Sequence, residues 1–525
     1  MEIPAGTLCG KGGELVNTNP ASPSKRWELR GNAGLIIAGF AWLSGLVACG
    51  NGNNAQPGLQ IQWDKTMVVT NTTPTLQVVV NPPLRPGQPL SIASYQALNE
   101  LGADYVRYVP WLPYPKLVVA ELQPPTSQGT SWDFSLIDPM MADFMNATAG
   151  HPIVMNFSTI PQWMFVTDAP VSYPADPDQE TWDYEQGTEL RDPTCQELAD
   201  YYNRLVSWYV DGGFTDENGV QHQSGYHYQF PVWEVLNEVE FEHSTTPQDY
   251  VKRYDAIVAG IRSASPDTKF MGMALAAPGN DLDFIQYFLD PSNHQPGIPL
   301  DYISYHFYAS PPAGQTIDDW PSTFFPQADG FLDTVRSIEA IRKQLAPQTK
   351  TDIDELGSIL PTDNTPADSV PPPAAYWNLS GALYAYLYLQ LARLQIDIIG
   401  ESQLVGFPSQ FPSVSMMDWT TNQPNARFWV LKLIKDSFHP GDKMVETDLA
   451  VPNADVETQA FVTTAGHKLL LINKTGLAMD VPLPDADTAS ALTVDLQSGE
   501  GPARSVSPSG GQITLQPFAV TVVSW

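Results

Sequence analysis

Pro231-Val232-Trp233-Glu234-Val235-Leu236-Asn237-Glu238 is the stretch on which the reading of this chain turns. It is a short, largely apolar run of the kind that forms a strand buried on both faces. It ends in an Asn–Glu pair before Val239, Glu240 and Phe241 lead away. In a (β/α)8 barrel, reactive side chains sit at the C-terminal ends of such strands. A carboxylate there calls for a second one, and the candidate is Glu355 in Lys350-Thr351-Asp352-Ile353-Asp354-Glu355-Leu356-Gly357. Asp352 and Asp354 compete for that place. Ile353 two residues before and Gly357 two after favour Glu355.

Outward from this stretch, strand-like and helix-like segments alternate from about residue 74, the pattern of a parallel sheet with crossover helices. The spacing predicts strands at 76–80, 105–109, 153–157, 232–238, 270–274, 302–306, 351–355 and 396–400. Helices are expected at 91–101, 134–145, 194–210, 331–345, 377–394 and 427–438, with another opened by Thr246-Pro247 and carried by Val251, Tyr254, Val258 and Ile261. Eight strand–helix pairs make an α/β chain with a (β/α)8 TIM barrel over 74–438. After Pro440, short strands at 457–462, 468–473 and 519–523 alternate with Gly, Pro, Asn and Asp. That pattern predicts a C-terminal β-sandwich accessory domain over 439–525. The strand-like 61–70, within a 50–73 tether, is a candidate to join it. No internal repeat stands out.

The bulk numbers agree with a folded, loop-rich protein: 525 residues, 43% apolar, with 14 Trp and 48 Pro. Acidic residues outnumber basic ones 58 to 26, a formal charge of -32 that repels nucleic acid and anionic lipid. Three cysteines, Cys9, Cys49 and Cys195, form neither a CxxC pattern nor a disulfide framework. Cys195 has no His signature beside it, which argues against a thiol nucleophile. With no HxH or HExxH, no metal and no cofactor are expected.

At the N-terminus, Lys25, Arg26 and Arg30 precede an apolar run over 33–49. That order is an export signal, and the run is shorter than the roughly 20 residues of a spanning helix. Leu46-Val47-Ala48-Cys49 resembles a bacterial lipobox, with cleavage before Cys49 and lipid on its sulfur; an ordinary signal peptide or an uncleaved anchor is the alternative. Residues 1–49 are thus expected to export the protein to the bacterial cell envelope as a lipoprotein, periplasmic or on the outer surface, touching membrane only through its lipid. Twenty-four residues precede Lys25 and no Met lies between Met1 and Cys49. A start at a non-Met codon would account for that length.

Glu238 and Glu355 lie far apart in sequence, but placement on the fourth and seventh strands of one barrel brings both to the same mouth. Two carboxyl groups flanking a scissile bond are what glycoside hydrolysis requires. Asn-Glu ending strand four and Glu ending strand seven resemble the clan A retaining glycoside hydrolases, and within them most closely family 39, the β-xylosidase and α-L-iduronidase family. Four stretches carry the likeness: Leu101 to Arg107; Trp132-Asp133-Phe134 with Ile137-Asp138; Trp233 to Glu238; and Asp301 to Tyr308. The resemblance implies Glu238 as general acid/base, Glu355 as nucleophile and Asn237 as holder of the sugar 2-hydroxyl. It implies that His306 contacts sugar and that Tyr308 orients the nucleophile, and it puts Arg107 in the substrate-binding set. Trp111, Trp163 and Trp419, near predicted strand ends, offer flat faces for sugar stacking, although a lone Trp more often packs a core.

The chain also departs from the family's pattern. Val239 follows Asn237-Glu238 where Pro is usual, Glu240 stands where Asn is frequent, and Val109 stands where xylosidases carry a sugar-contacting His. The implied activity is double-displacement hydrolysis of neutral oligosaccharides or glycosides. The alternatives are a clan A enzyme of another family, such as a β-glucuronidase, and a non-catalytic carbohydrate-binding lipoprotein; a site that only binds has no need of both carboxylates. Glu401, on strand eight, is placed to face the barrel interior.

Overall fold

The computed structural model describes residues 58–181, 187–363, 371–408, 411–449 and 454–525. The export segment, Cys9 and Cys49 lie outside the described residues. Eight parallel strands close a barrel: Thr73–Val79, Val106–Val109, Ile153–Met155, Val232–Val235, Lys269–Leu275, Tyr302–Ala309, Lys350–Ser358 and Ile398–Glu401, here strands one to eight. Strand eight returns to strand one, with Ile398 opposite Thr73 and Glu401 opposite Leu76. These are the eight runs expected from the sequence. They were legible because strands covered on both faces are continuously apolar.

Local differences have local causes. Strand four stops at Val235, three residues short of expectation. Leu236 and Glu238 take left-handed φ values of 67° and 42°, which turn the chain out of the ladder. The Glu238 N–H then donates to the Ala274 carbonyl at the end of strand five (2.9 Å). The helix Pro321–Leu345 begins ten residues earlier than 331, because Pro326 inside it broke the apparent pattern. The helix Asp138–Ala147 opens four residues after the expected 134, with Pro at its first turn. The eight-residue helix Leu282–Leu289 between strands five and six, too short for a periodic signal, is an addition. The Pro247–Ala264 helix is capped as read, the Thr246 side chain accepting from the Asp249 N–H.

The remaining strands among the described residues form a seven-stranded antiparallel sheet and two two-stranded ones, Met479–Pro482 with Gln512–Leu515 and Gly213–Thr215 with Gln221–Gln223. Leu59–Val69 lies at one edge of the larger sheet, paired with Lys443–Leu449. A second small core, including Leu59, Val445, Leu469, Leu471 and Val523, fills the space behind it. The sheet is seated on the barrel through Phe461 on Phe438 (ring centroids 4.3 Å) and an Arg393–Glu457 ion pair (2.9 Å). Among the described residues, no helix is long and apolar enough to cross a membrane.

Candidate active site

The turn after strand four puts Asn237 and Glu238 at the C-terminal mouth of the barrel, and strand seven carries Glu355 to the same mouth. The left-handed backbone at Glu238 costs on the order of 1–3 kcal/mol, the kind of strain that persists where the surrounding fold fixes it. Both carboxylates line one cavity of about 250 Å³, together with Tyr308 and Trp111. One side-chain donor atom from each of Glu238, His306 and Glu355 lies within 4.8 Å of the other two.

Arg107, on strand two, organises the floor. Its Nη1 donates to Glu355 Oε1 (2.6 Å) and Gln77 Oε1 (2.7 Å), and its Nη2 to Asn237 Oδ1 (2.6 Å). Its Nε faces Glu234 Oε2 (2.5 Å) and Asp354 Oδ2 (2.9 Å). Burial alone would lower its pKa, but the charges of Asp354, Glu234 and Glu355 outweigh that and raise it. The residue is 1% exposed and does not line the cavity. That corrects the substrate-binding expectation for Arg107. Its planar fork is spent on protein carboxylates and two amides, so it is a positioning residue. With its oxygen held by Arg107, the Asn237 amide directs Nδ2 toward Glu242 Oε1 (3.3 Å).

His306 is also enclosed, with no exposed side-chain surface. Its Nδ1 lies 3.1 Å from Glu238 Oε1 and 3.6 Å from Glu355 Oε2, and its Nε2 3.7 Å from Asp354 Oδ1. Burial would lower the imidazole pKa. The neighbouring Glu355 and Asp354 charges and the bonds to Asp354 and Glu238 hold it well above the ordinary value. The ring therefore contacts carboxylates where the family pattern implied sugar. Tyr308 places its hydroxyl 2.6 Å from both Glu355 Oε2 and Ser402 Oγ. A carboxylate only accepts, so the single phenol proton goes to Glu355, and Ser402, itself receiving Gln77 Nε2 (2.7 Å), donates to Tyr308.

The tryptophans divide. Trp111 lines the cavity and donates Nε1 to Glu242 Oε1 (2.5 Å). Trp163 does not: its Nε1 binds the Glu121 carbonyl (2.8 Å) and its face is covered by the Arg191 guanidinium at 4.3 Å. Trp419, half-buried, packs on the hydrophobic core and is absent from the cavity lining. Trp163 is thus a packing residue, its face already occupied, and Trp419 lies outside the cavity. Glu401 is fully buried and paired with Arg427 (2.9 Å). Cys195 is buried.

Sequence reasoning missed Glu234, Gln77, Ser402 and Glu242. Of these, Glu234 carried a signal: an acid in the middle of an apolar strand is rare unless it is paired. It accepts from Arg107 and from Asn156 Nδ2 (2.6 Å) and is joined by the Ser304 hydroxyl. The trio Glu238, His306 and Glu355 has the geometry of a cation site. A divalent ion there would lie against the Arg107 guanidinium and would require the imidazolium to lose its proton, so the electrostatics oppose it.

Burial also pushes the Glu234, Glu240 and Glu401 carboxyls up to about 7, and that of Glu121, with Glu217 adding to the effect, up to about 8. For each, the folded state binds a proton that the unfolded state has released above its ordinary pKa of 4.5. This stability is complete below 4.5 and is lost as pH rises through 7 to 8. Urea midpoints should therefore fall between pH 5 and pH 8, chiefly through Glu121 and Glu240, because Arg107 and Arg427 oppose the shift at Glu234 and Glu401. A flat profile over that window would show these acids to be ionised in the folded state.

A sequence model of the glycosyl hydrolases family 39 matches residues 55–376, more than half of the chain. A second, of the C-terminal immunoglobulin-like domain of D-apionate lactonase, matches 453–523. No curated protein matches the sequence. Among solved structures, the GH51 arabinofuranosidase from Xanthomonas axonopodis pv. citri is similar at 11% identity and a TM-score of 0.60, over 89% of this chain and 99% of that one. The catalytic domain of GH30 xylanase C from Talaromyces cellulolyticus is similar at 12% and 0.54, over 89% and 99%. A glucosidase from Croceicoccus marinus is similar at 14% and 0.55, over 89% and 98%. At these identities the likeness is one of fold. The match over 55–376, on a closed barrel with this arrangement of carboxylates at its mouth, places the chain in glycosyl hydrolase family 39.

Proposed function

We propose that the protein is a retaining glycosidase acting on neutral glycosides by double displacement, with Glu355 as nucleophile and Glu238 as general acid/base. One observation carries the reading: the two carboxylates share one cavity with donor atoms within 4.8 Å of each other. That matches the roughly 5–5.5 Å of retaining enzymes and is too close for the roughly 6.5–9.5 Å that an inverting water needs.

In the first step Glu355 attacks the anomeric carbon while Glu238 protonates the departing glycosidic oxygen. The C–O bond breaks, the alcohol leaves, and a glycosyl ester forms on Glu355. In the second, Glu238 takes a proton from water, whose oxygen attacks the same carbon and frees Glu355. Arg107 and Tyr308 each donate to a different oxygen of Glu355, which fixes its aim. The His306 imidazolium gives Glu238 a donor that stabilises the carboxylate formed once its proton is passed on.

A uronate reading is disfavoured. Among the described residues no Lys, Arg or His lines the cavity, so a sugar carboxylate would face Glu238 and Glu355 without a counter-charge. The deciding experiment is proton NMR of the first sugar anomer released from an aryl glycoside. Retention of the substrate's anomeric configuration is expected, and release of the opposite anomer would rule out the two-step path.

A further inference from the structure

The catalytic cavity has two unlike walls. Asn237, Glu238, Tyr308 and Glu355 form a polar wall from strands four, six and seven. If Glu355 attacks the anomeric carbon and Asn237 meets the 2-hydroxyl, the rest of the ring extends to the opposite wall. There Val79 and Val109, paired in register at the ends of strands one and two, are joined by Phe411 and Val414 from the segment after strand eight. Gln77 also reaches this side, but both ends of its carboxamide are committed, Nε2 to Ser402 and Oε1 to Arg107. Gln403 gives its Nε2 to the Val405 carbonyl (3.1 Å). Its carboxamide oxygen is the one side-chain hydrogen-bonding group left to this wall among the described residues. A volume of about 250 Å³, below the roughly 300–1,000 Å³ of ordinary ligand sites, suits a single sugar ring.

We propose that the cavity selects a deoxy sugar as glycone, with its methyl group against the Val79–Val109 wall. The proposal rests on Glu238 and Glu355 being the hydrolytic pair, since they fix which edge of the ring faces that wall. A hydroxyl buried there gives up water and gains no partner, whereas a methyl group gains apolar contact. Sites that leave a hydroxyl unpaired discriminate by roughly tenfold to a hundredfold. Val109 is the specificity-determining residue of that wall, lying at the end of strand two and 1% exposed.

The test compares kcat/KM for 4-nitrophenyl glycosides that differ only at C6: galactoside with fucoside and glucoside with 6-deoxyglucoside, in the D and L series and in both anomers. In whichever series is cleaved, the deoxy member should be preferred by about tenfold or more, and Val109→Asn should reduce or reverse that preference. Equal or opposite preference overturns the proposal and would mean that the apolar wall receives the aglycone. Calorimetry with 1-deoxygalactonojirimycin and its 1,6-dideoxy counterpart, matched within each of the D and L series, separates this from the hydrolytic reading. If no glycoside is cleaved, the hydrolase reading fails, yet tenfold tighter binding of the 1,6-dideoxy iminosugar still upholds the pocket assignment. Equal binding, or binding of neither, overturns it.

Discussion

Glu355→Gln should lower kcat by about 10⁴- to 10⁶-fold on every glycoside, whatever its leaving group, because a carboxamide cannot form the glycosyl ester. The substitution keeps the side chain's size, so the expected loss is chemical. A structural cost is present but small. Glu355 now accepts from Arg107 on one oxygen and from Tyr308 on the other, and Gln has a single acceptor for the two. One donor loses its partner, worth about 1–3 kcal/mol. A folded but inactive protein is therefore expected, visible as a cooperative melt with little change in far-UV circular dichroism. In the unsubstituted enzyme, a 2-fluoro glycosyl inhibitor should add its mass to the peptide bearing Glu355. A label on Asp354 would move the nucleophile by one residue. The geometry argues against that, since Asp354 is 2% exposed, turned toward Arg107 Nε below the cavity, and held below the usual carboxylate range: burial would raise it, but Arg107 and His306 outweigh burial. Retention of more than about 1% of kcat would count against any nucleophile at position 355.

What the chain disclosed before its structure follows a physical division. The eight strands, and the placement of Glu238 and Glu355 toward one mouth, were legible because period and apolarity are local properties, although strand four stops before Glu238 and strand seven runs past Glu355. The floor beneath them was not. Arg107, Glu234 and Asp354 come from strands two, four and seven, and they meet only because the ring closes. In sequence, Arg107 is indistinguishable from a residue that points at substrate. His306 looked like a sugar contact for the same reason, and only its enclosure between Glu238, Glu355 and Asp354 shows what the ring touches. Trp163 illustrates the converse. A flat ring near a strand end looks free until Arg191, on a separate segment, covers it. The end of strand four was misjudged because nothing in Leu236-Asn237-Glu238 marks a left-handed turn, which in these residue types is imposed by tertiary structure.

Glu238→Ala should divide substrates by leaving group. Glycosides whose leaving oxygen needs a proton should lose about 10²- to 10⁴-fold in kcat/KM. Activated aryl glycosides should lose far less, because their departing phenolate needs no acid. For these the glycosyl-enzyme should accumulate, since water now lacks its base, and a burst should precede slow turnover. Azide needs no deprotonation, so it should restore turnover and yield a glycosyl azide with the substrate's own anomeric configuration. The fold should tolerate the change. Position 238 keeps its left-handed φ of 42° with either side chain, and the His306 imidazolium, losing Glu238, retains Glu355 and Asp354. Equal loss on both substrate classes with no azide product would remove Glu238 from the acid role and turn attention to Glu240. Burial pushes the carboxyl of that acid up to about 7. Its Oε1, however, accepts the Ala277 N–H (2.8 Å) at the end of strand five, and it does not line the cavity. A proton donor must reach the departing oxygen, and of the two acids only Glu238 borders the space where a sugar can lie.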